Sequence, residues 1–193
     1  KMGIVYNELS PEAQHVITTV WKKEAWQMTS QGISNSIWGF QLMKVISSKD
    51  LPGIVRAAMW DGIRREGPRF DEQEIGNIIF SLSKMQHVFK SMPFDVRATL
   101  LQSLTTRLPE MEPQGVVMVL VGLSRLKVDW QSMSDVLKDR FIEATYRVLM
   151  KIENAETLSS LIYALSSIGL KWWTLEALYP HIQAAISDSI HDF

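Results

Sequence analysis

The ten residues QGISNSIWGF at 31–40 return three more times along the chain, as QEIGNIIFSL from Gln73, QGVVMVLVGL from Gln114 and ETLSSLIYAL from Glu156. Aligned on Trp38, Phe80, Val121 and Tyr163, the copies lie 42, 41 and 42 residues apart. A fixed period near forty residues constrains the fold strongly, because a unit too small to bury its own apolar face must stack on copies of itself.

Two residues beyond the alignment point come Phe40, Leu82, Leu123 and Leu165, and three further on Met43, Met85, Leu126 and Ile168. Between the aligned position and the first of these sets lie the small residues Gly39, Ser81, Gly122 and Ala164, which fit close approach of neighbouring helices. Within one unit Ile75, Ile79, Leu82 and Met85 follow helical spacing, while Ile78 and Phe80 widen the apolar surface beyond one stripe. The second half of the unit repeats as well. Pro11, Pro52 and Pro93 each precede an apolar-periodic run and mark helix starts, with Ser134 in that place in the next unit. Leu175, Leu178, Ile182 and Ile186 continue the pattern.

The spacing predicts helices near 10–27, 29–46, 51–66, 71–88, 93–107, 112–126, 132–150, 153–168 and 173–190, and nothing reads as a strand. The fold expected is all-α: an α-solenoid of stacked helical hairpins, about four and a half repeats of 41–42 residues. A half repeat at 1–28 precedes repeats at 29–70, 71–111, 112–152 and 153–193 in one helical-repeat domain. The opening Lys1 is compatible with a fragment of a longer protein.

Composition narrows the chemistry. No run reaches the roughly 18 apolar residues of a membrane span, so no membrane partner is expected. A formal charge of −1 gives no global pull toward polyanions, so nucleic-acid binding requires a local patch. The absence of cysteine removes disulfides, thiolate metal sites and cysteine nucleophiles. His15, His87, His181 and His191 lack metal-ligand spacing and read as surface or partly buried residues. Ser81 to Lys84 matches S-x-x-K, but Ser81 holds the recurring small position, where packing explains it better than nucleophilic chemistry. No catalytic, metal-binding or cofactor-binding residue is assigned, and a non-enzymatic module is expected.

Equivalent positions in stacked units form ladders. One is Gln31, Gln73, Gln114 and Glu156; a second is Asn35, Asn77, Met118 and Ser160; a third is Leu42, Lys84, Arg125 and Ser167. At 100° per residue, the steps from Gln73 to Asn77 and Lys84 leave all three within about 40° of one another. That face offers amides to base edges and cations to phosphates, the division of labour of a single-strand reader. A solvated helix face must also be polar and Asn near a helix start bonds locally, so a purely structural role fits the same residues. A fourth ladder, His15, Arg56, Arg97 and Lys138, then Tyr179, all 41 apart, lies on the second-type helices and forms a candidate phosphate track. Like charges about 10 Å apart in water repel by only about 0.4 kcal/mol, so this ladder needs no ligand to be tolerated. If the two helix types line opposite surfaces, one strand cannot touch both, and the first-type face is the expected site.

The frames ISNSIWGFQLM, IGNIIFSLSKM and LSSLIYALSSIG resemble the first helix of octotricopeptide and related repeats, including those of RAP-domain and FAST-kinase-like proteins. The resemblance implies a helical-pair solenoid acting on organellar RNA, in a mitochondrion or plastid. On this reading Gln31, Asn35, Gln73, Asn77 and Gln114 face bases, Lys84 and Arg125 face phosphates, and Arg56, Arg97 and Lys138 are secondary. The alternative is a protein-interaction scaffold or self-associating module docking through apolar surface around Trp172 and Trp173.

Overall fold

The computed structural model describes residues 4–45, 50–151 and 155–171, together with the helical positions Gln183 and Ser187. Among the described residues there is no strand, and eight α-helices pack as antiparallel pairs. They are α1 (Pro11–Glu24), α2 (Ser30–Leu42), α3 (Gly53–Glu66), α4 (Glu72–Lys84), α5 (Phe94–Arg107), α6 (Pro113–Arg125), α7 (Asp135–Leu149) and α8 (Ala155–Ser167). Helix α2 packs on α4, α4 on α6 and α6 on α8, while α1 packs on α3, α3 on α5 and α5 on α7.

The core follows the sequence periodicity. Ile33, Ile37 and Phe40 of α2, Ile75, Ile78, Ile79 and Leu82 of α4, and Val116, Val119, Leu120 and Leu123 of α6 are buried. Each such side chain contributes roughly 1.5–3 kcal/mol on leaving water. Helix α4 faces neighbours on two sides, which is why Ile75 and Ile78, about 60° apart in projection, are both fully buried.

The ends of the elements depart from expectation in instructive ways. Helices α2 and α4 stop at Leu42 and Lys84, before the predicted 46 and 88. Helices α2, α4, α6 and α8 are each followed, two residues on, by a residue in the left-handed region: Lys44 (φ 53°), Gln86 (φ 51°), Lys127 (φ 58°) and Gly169 (φ 82°), spaced 42, 41 and 42 apart. The chain then folds back: the Val45, His87, Val128 and Leu170 N–H groups donate to the Phe40, Leu82, Leu123 and Leu165 carbonyls at 3.0–3.2 Å. These are Schellman closures, and only the last carries the glycine that usually announces one. Pro52 and Pro93 sit one place outside the first helical turn, as N-caps with ψ 142°, and Pro11 and Pro113 occupy the first turn. Ser134 caps α7 by accepting from Leu137 N, and Asp71 with Glu74 forms a capping box on α4.

Two further recurrent contacts join neighbouring pairs. The Tyr6, Phe89 and Trp130 N–H groups donate to the Met43, Leu126 and Ile168 carbonyls at 2.8, 2.9 and 2.7 Å. Arg65 Nη2 donates to the Ala25 and Met28 carbonyls, Arg107 Nε to the Phe70 carbonyl, and Arg147 to the Leu108 and Met111 carbonyls. Each arginine satisfies backbone acceptors at the turn of the preceding pair, which an apolar side chain of similar volume would leave bare.

The recurring small position serves close packing only in part. A Cβ on Gly122 would stand 2.8 Å from Ile79 Cγ2 and 3.4 Å from the Ile79 carbonyl, where α6 meets α4. A Cβ on Gly39 would meet nothing within 4 Å. Ser81 is fully buried with its hydroxyl unpaired among the described residues, whereas Lys84 is exposed, so the S-x-x-K pair does not form a site.

Candidate functional site

The capping box holds the first turn of α4, and one stripe of that helix then presents Gln73, Asn77, Phe80 and Lys84 in succession. Helix α2 offers Gln31, Asn35 and Trp38 in the same places, α6 offers Gln114, Met118, Val121 and Arg125, and α8 offers Glu156, Ser160 and Tyr163. Gln31, Asn35, Gln73, Lys84, Gln114 and Arg125 are exposed, and Asn77 is half-buried. None of the five amides bonds another described residue, and neither Lys84 nor Arg125 lies within ion-pair distance of a described carboxylate. Their polar groups are left to water or to a ligand.

Aromatic rings tie this stripe together. The Trp38 and Phe80 rings stack with centroids 6.0 Å apart and planes 29° from parallel. Lys84 Nζ lies 5.3 Å above the Phe80 centroid, and the Arg125 guanidinium carbon lies 6.0 Å from it. Two cations without carboxylate partners are thus steered by one ring, the quadrupole of which attracts positive charge. Tyr163 is 66% exposed on α8. Between α6 and α8 runs a groove of ≈ 680 Å³ lined by Phe80, Gln114, Met118, Val121, Lys151, Glu156 and Ser160.

The predicted residues therefore fall into two groups. Gln114 lines the groove and Lys84 and Arg125 converge on Phe80; Gln31, Asn35, Gln73 and Asn77 lie along the same stripe, outside the groove lining. Trp38, Phe80 and Tyr163 stand at the aligned position, outside the amide and cation ladders, and in sequence Phe80 reads as a widening of the apolar surface. The signal was present: the step of three from Asn77 to Phe80 is about −60° in projection, which keeps the ring beside the amides.

The second ladder is less uniform. Lys138 Nζ is committed to Asp135 at 3.0 Å. Arg56 is half-buried. Arg97, also half-buried, rests over the Phe89 and Phe94 rings at 5.9 and 5.6 Å, with its Nε shut from solvent and unpaired among the described residues. His15 is exposed, its ring nitrogen 3.4 Å from the Thr19 hydroxyl.

His87 is 6% exposed, set edge-on to Trp60 at 5.2 Å, with Nε2 unpaired among the described residues. Burial, assisted by the nearby Arg56 charge, lowers its pKa to about 4. Of the expected features, Trp172, Trp173, Tyr179, His181, His191 and the apolar run Leu175, Leu178, Ile182 and Ile186 lie outside the described residues.

The fold and this face define an all-helical protein of antiparallel pairs carrying, on one set of helices, a stripe of rings and cations beside a groove. No protein-family model matches the chain, and no curated protein matches it. Among the described residues no helix is long and apolar enough to cross a membrane.

Proposed function

We propose that the chain is an α-solenoid of about four and a half units that binds single-stranded RNA along the face formed by α2, α4, α6 and α8. The observation that carries the reading is the convergence of Lys84 and Arg125 on Phe80, itself stacked on Trp38, with neither cation paired to a carboxylate among the described residues. Rings stack on bases, cations meet phosphates, and Gln31, Asn35, Gln73, Asn77 and Gln114 supply donors and acceptors for base edges. Action in a mitochondrion or plastid is the setting that the octotricopeptide-like repeat implies, and the module is proposed to act without catalysis.

Binding of labelled single-stranded RNA by fluorescence anisotropy at low and moderate salt tests this. A complex that weakens steeply with salt, and weakens further in Lys84→Glu with Arg125→Glu, supports the proposal. No binding at low salt overturns it in favour of a protein-interaction scaffold, for which the exposed Trp26 and Val20 of the first pair offer apolar surface.

A further inference from the structure

We infer that the bound strand leaves the first-type face at the end of α6 and places a phosphate in a second cleft, around Arg97; this rests on the RNA reading above. Two helix types on opposite surfaces would keep Arg97 apart from Lys84 and Arg125. The connections remove that separation.

Arg125 ends α6, and Lys127, two residues on, takes the left-handed turn that reverses the chain. The Cα atoms of Arg125 and Lys127 are therefore within about 7 Å. The Phe89 N–H donates to the Leu126 carbonyl at 2.9 Å, drawing the turn that carries Lys90 against this corner. Lys127 then lines a cleft of ≈ 370 Å³ with Phe89, Lys90, Phe94, Arg97 and Ser134. One strand can reach Arg125 and Arg97 by rounding a single corner.

The cleft suits an anion. Lys90, Arg97 and Lys127 each lack an ion-pair partner among the described residues, while Arg64, Arg65, Arg69 and Arg107 are all paired with carboxylates. The Arg97 guanidinium lies 5.9 Å from the Phe89 ring and 5.6 Å from the Phe94 ring, contacts that orient it without neutralising it. The acidic residue in the lining is Asp129, and its Oδ1 already accepts from Gln131 N at 3.0 Å. Phe94 is 78% exposed at the same place, a ring on which a base adjoining the captured phosphate can stack.

The test is the salt dependence of binding to a labelled single-stranded oligouridine. Lys90→Ala, Arg97→Ala and Lys127→Ala combined should lower the slope of log affinity against log salt by about 0.7, the amount for one lost phosphate contact on a single strand. Phe94→Ala removes an exposed ring that the fold does not need, and should weaken binding about fivefold or more. Native-like circular dichroism and melting of the triple variant validate the comparison; if the triple variant is misfolded, Phe94→Ala and Lys90→Ala decide alone. Unchanged slope and affinity in these variants, with Lys84→Ala and Arg125→Ala still weakening the complex, would overturn the path and leave the face intact. Absence of any binding by the unaltered chain would overturn both.

Discussion

His87 occupies the place that Val45, Val128 and Leu170 hold in the other closures, so replacing it with valine restores the local pattern and removes one titrating group. In the folded chain its pKa falls from 6.5 to about 4, first because the ring is buried and second because Arg56 is near. The unfolded chain therefore binds a proton near pH 6.5 that the folded chain refuses until about pH 4. Stability from this source is fully present above pH 6.5, declines as pH falls, and levels off below about 4. Between pH 7 and pH 5 the linkage amounts to about 2 kcal/mol, since each tenfold change in proton activity between the two pKa values is worth at most about 1.4 kcal/mol. Glu12 and Asp95, both with lowered pKa values, titrate in the native chain and the variant alike and cancel in the difference. Urea unfolding at pH 7 and pH 5 should show the native chain losing about 2 kcal/mol more than His87→Val. Equal losses in both proteins would refute the burial argument.

Gly39 and Gly122 share one repeat position yet should respond oppositely to alanine. Gly39→Ala, with open space around its Cβ, should stabilise by about 0.5–1 kcal/mol through helix propensity, whereas Gly122→Ala should cost about 1–3 kcal/mol. The obstacle at Gly122 is Ile79 Cγ2, on a β-branched side chain whose χ1 is fixed in a helix; thermal melting of the two variants checks the sign. Gln86→Gly should stabilise by roughly 0.5–1 kcal/mol, because the left-handed backbone there strains any residue with a Cβ; denaturant midpoints measure it.

Periodicity made the helical pairs legible because the apolar positions that recur every 41–42 residues are the ones that neighbouring helices bury, as Ile75, Ile79 and Leu82 show. The ends were less legible, since Lys44, Gln86 and Lys127 take a conformation ordinarily marked by glycine, and the closing bonds are made by backbone. Arg65, Arg107 and Arg147 recur at 42 and 40 residues, but their partners are carbonyls, which leave no trace in side-chain pattern. The burial of His87 was recoverable by comparing units, because every equivalent residue is aliphatic. At the candidate face the amide and cation ladders were visible in sequence; the bridging of Lys84 and Arg125 by the Phe80 ring depends on how closely α4 and α6 approach.

The most direct measurement is ultraviolet cross-linking of a uridine-rich single-stranded RNA to the intact chain, with the attached residues mapped by mass spectrometry. Stacking along α2, α4 and α8 predicts adducts at Trp38, Phe80 and Tyr163. Adducts confined to other surfaces, such as Trp26, or none at all, would contradict it.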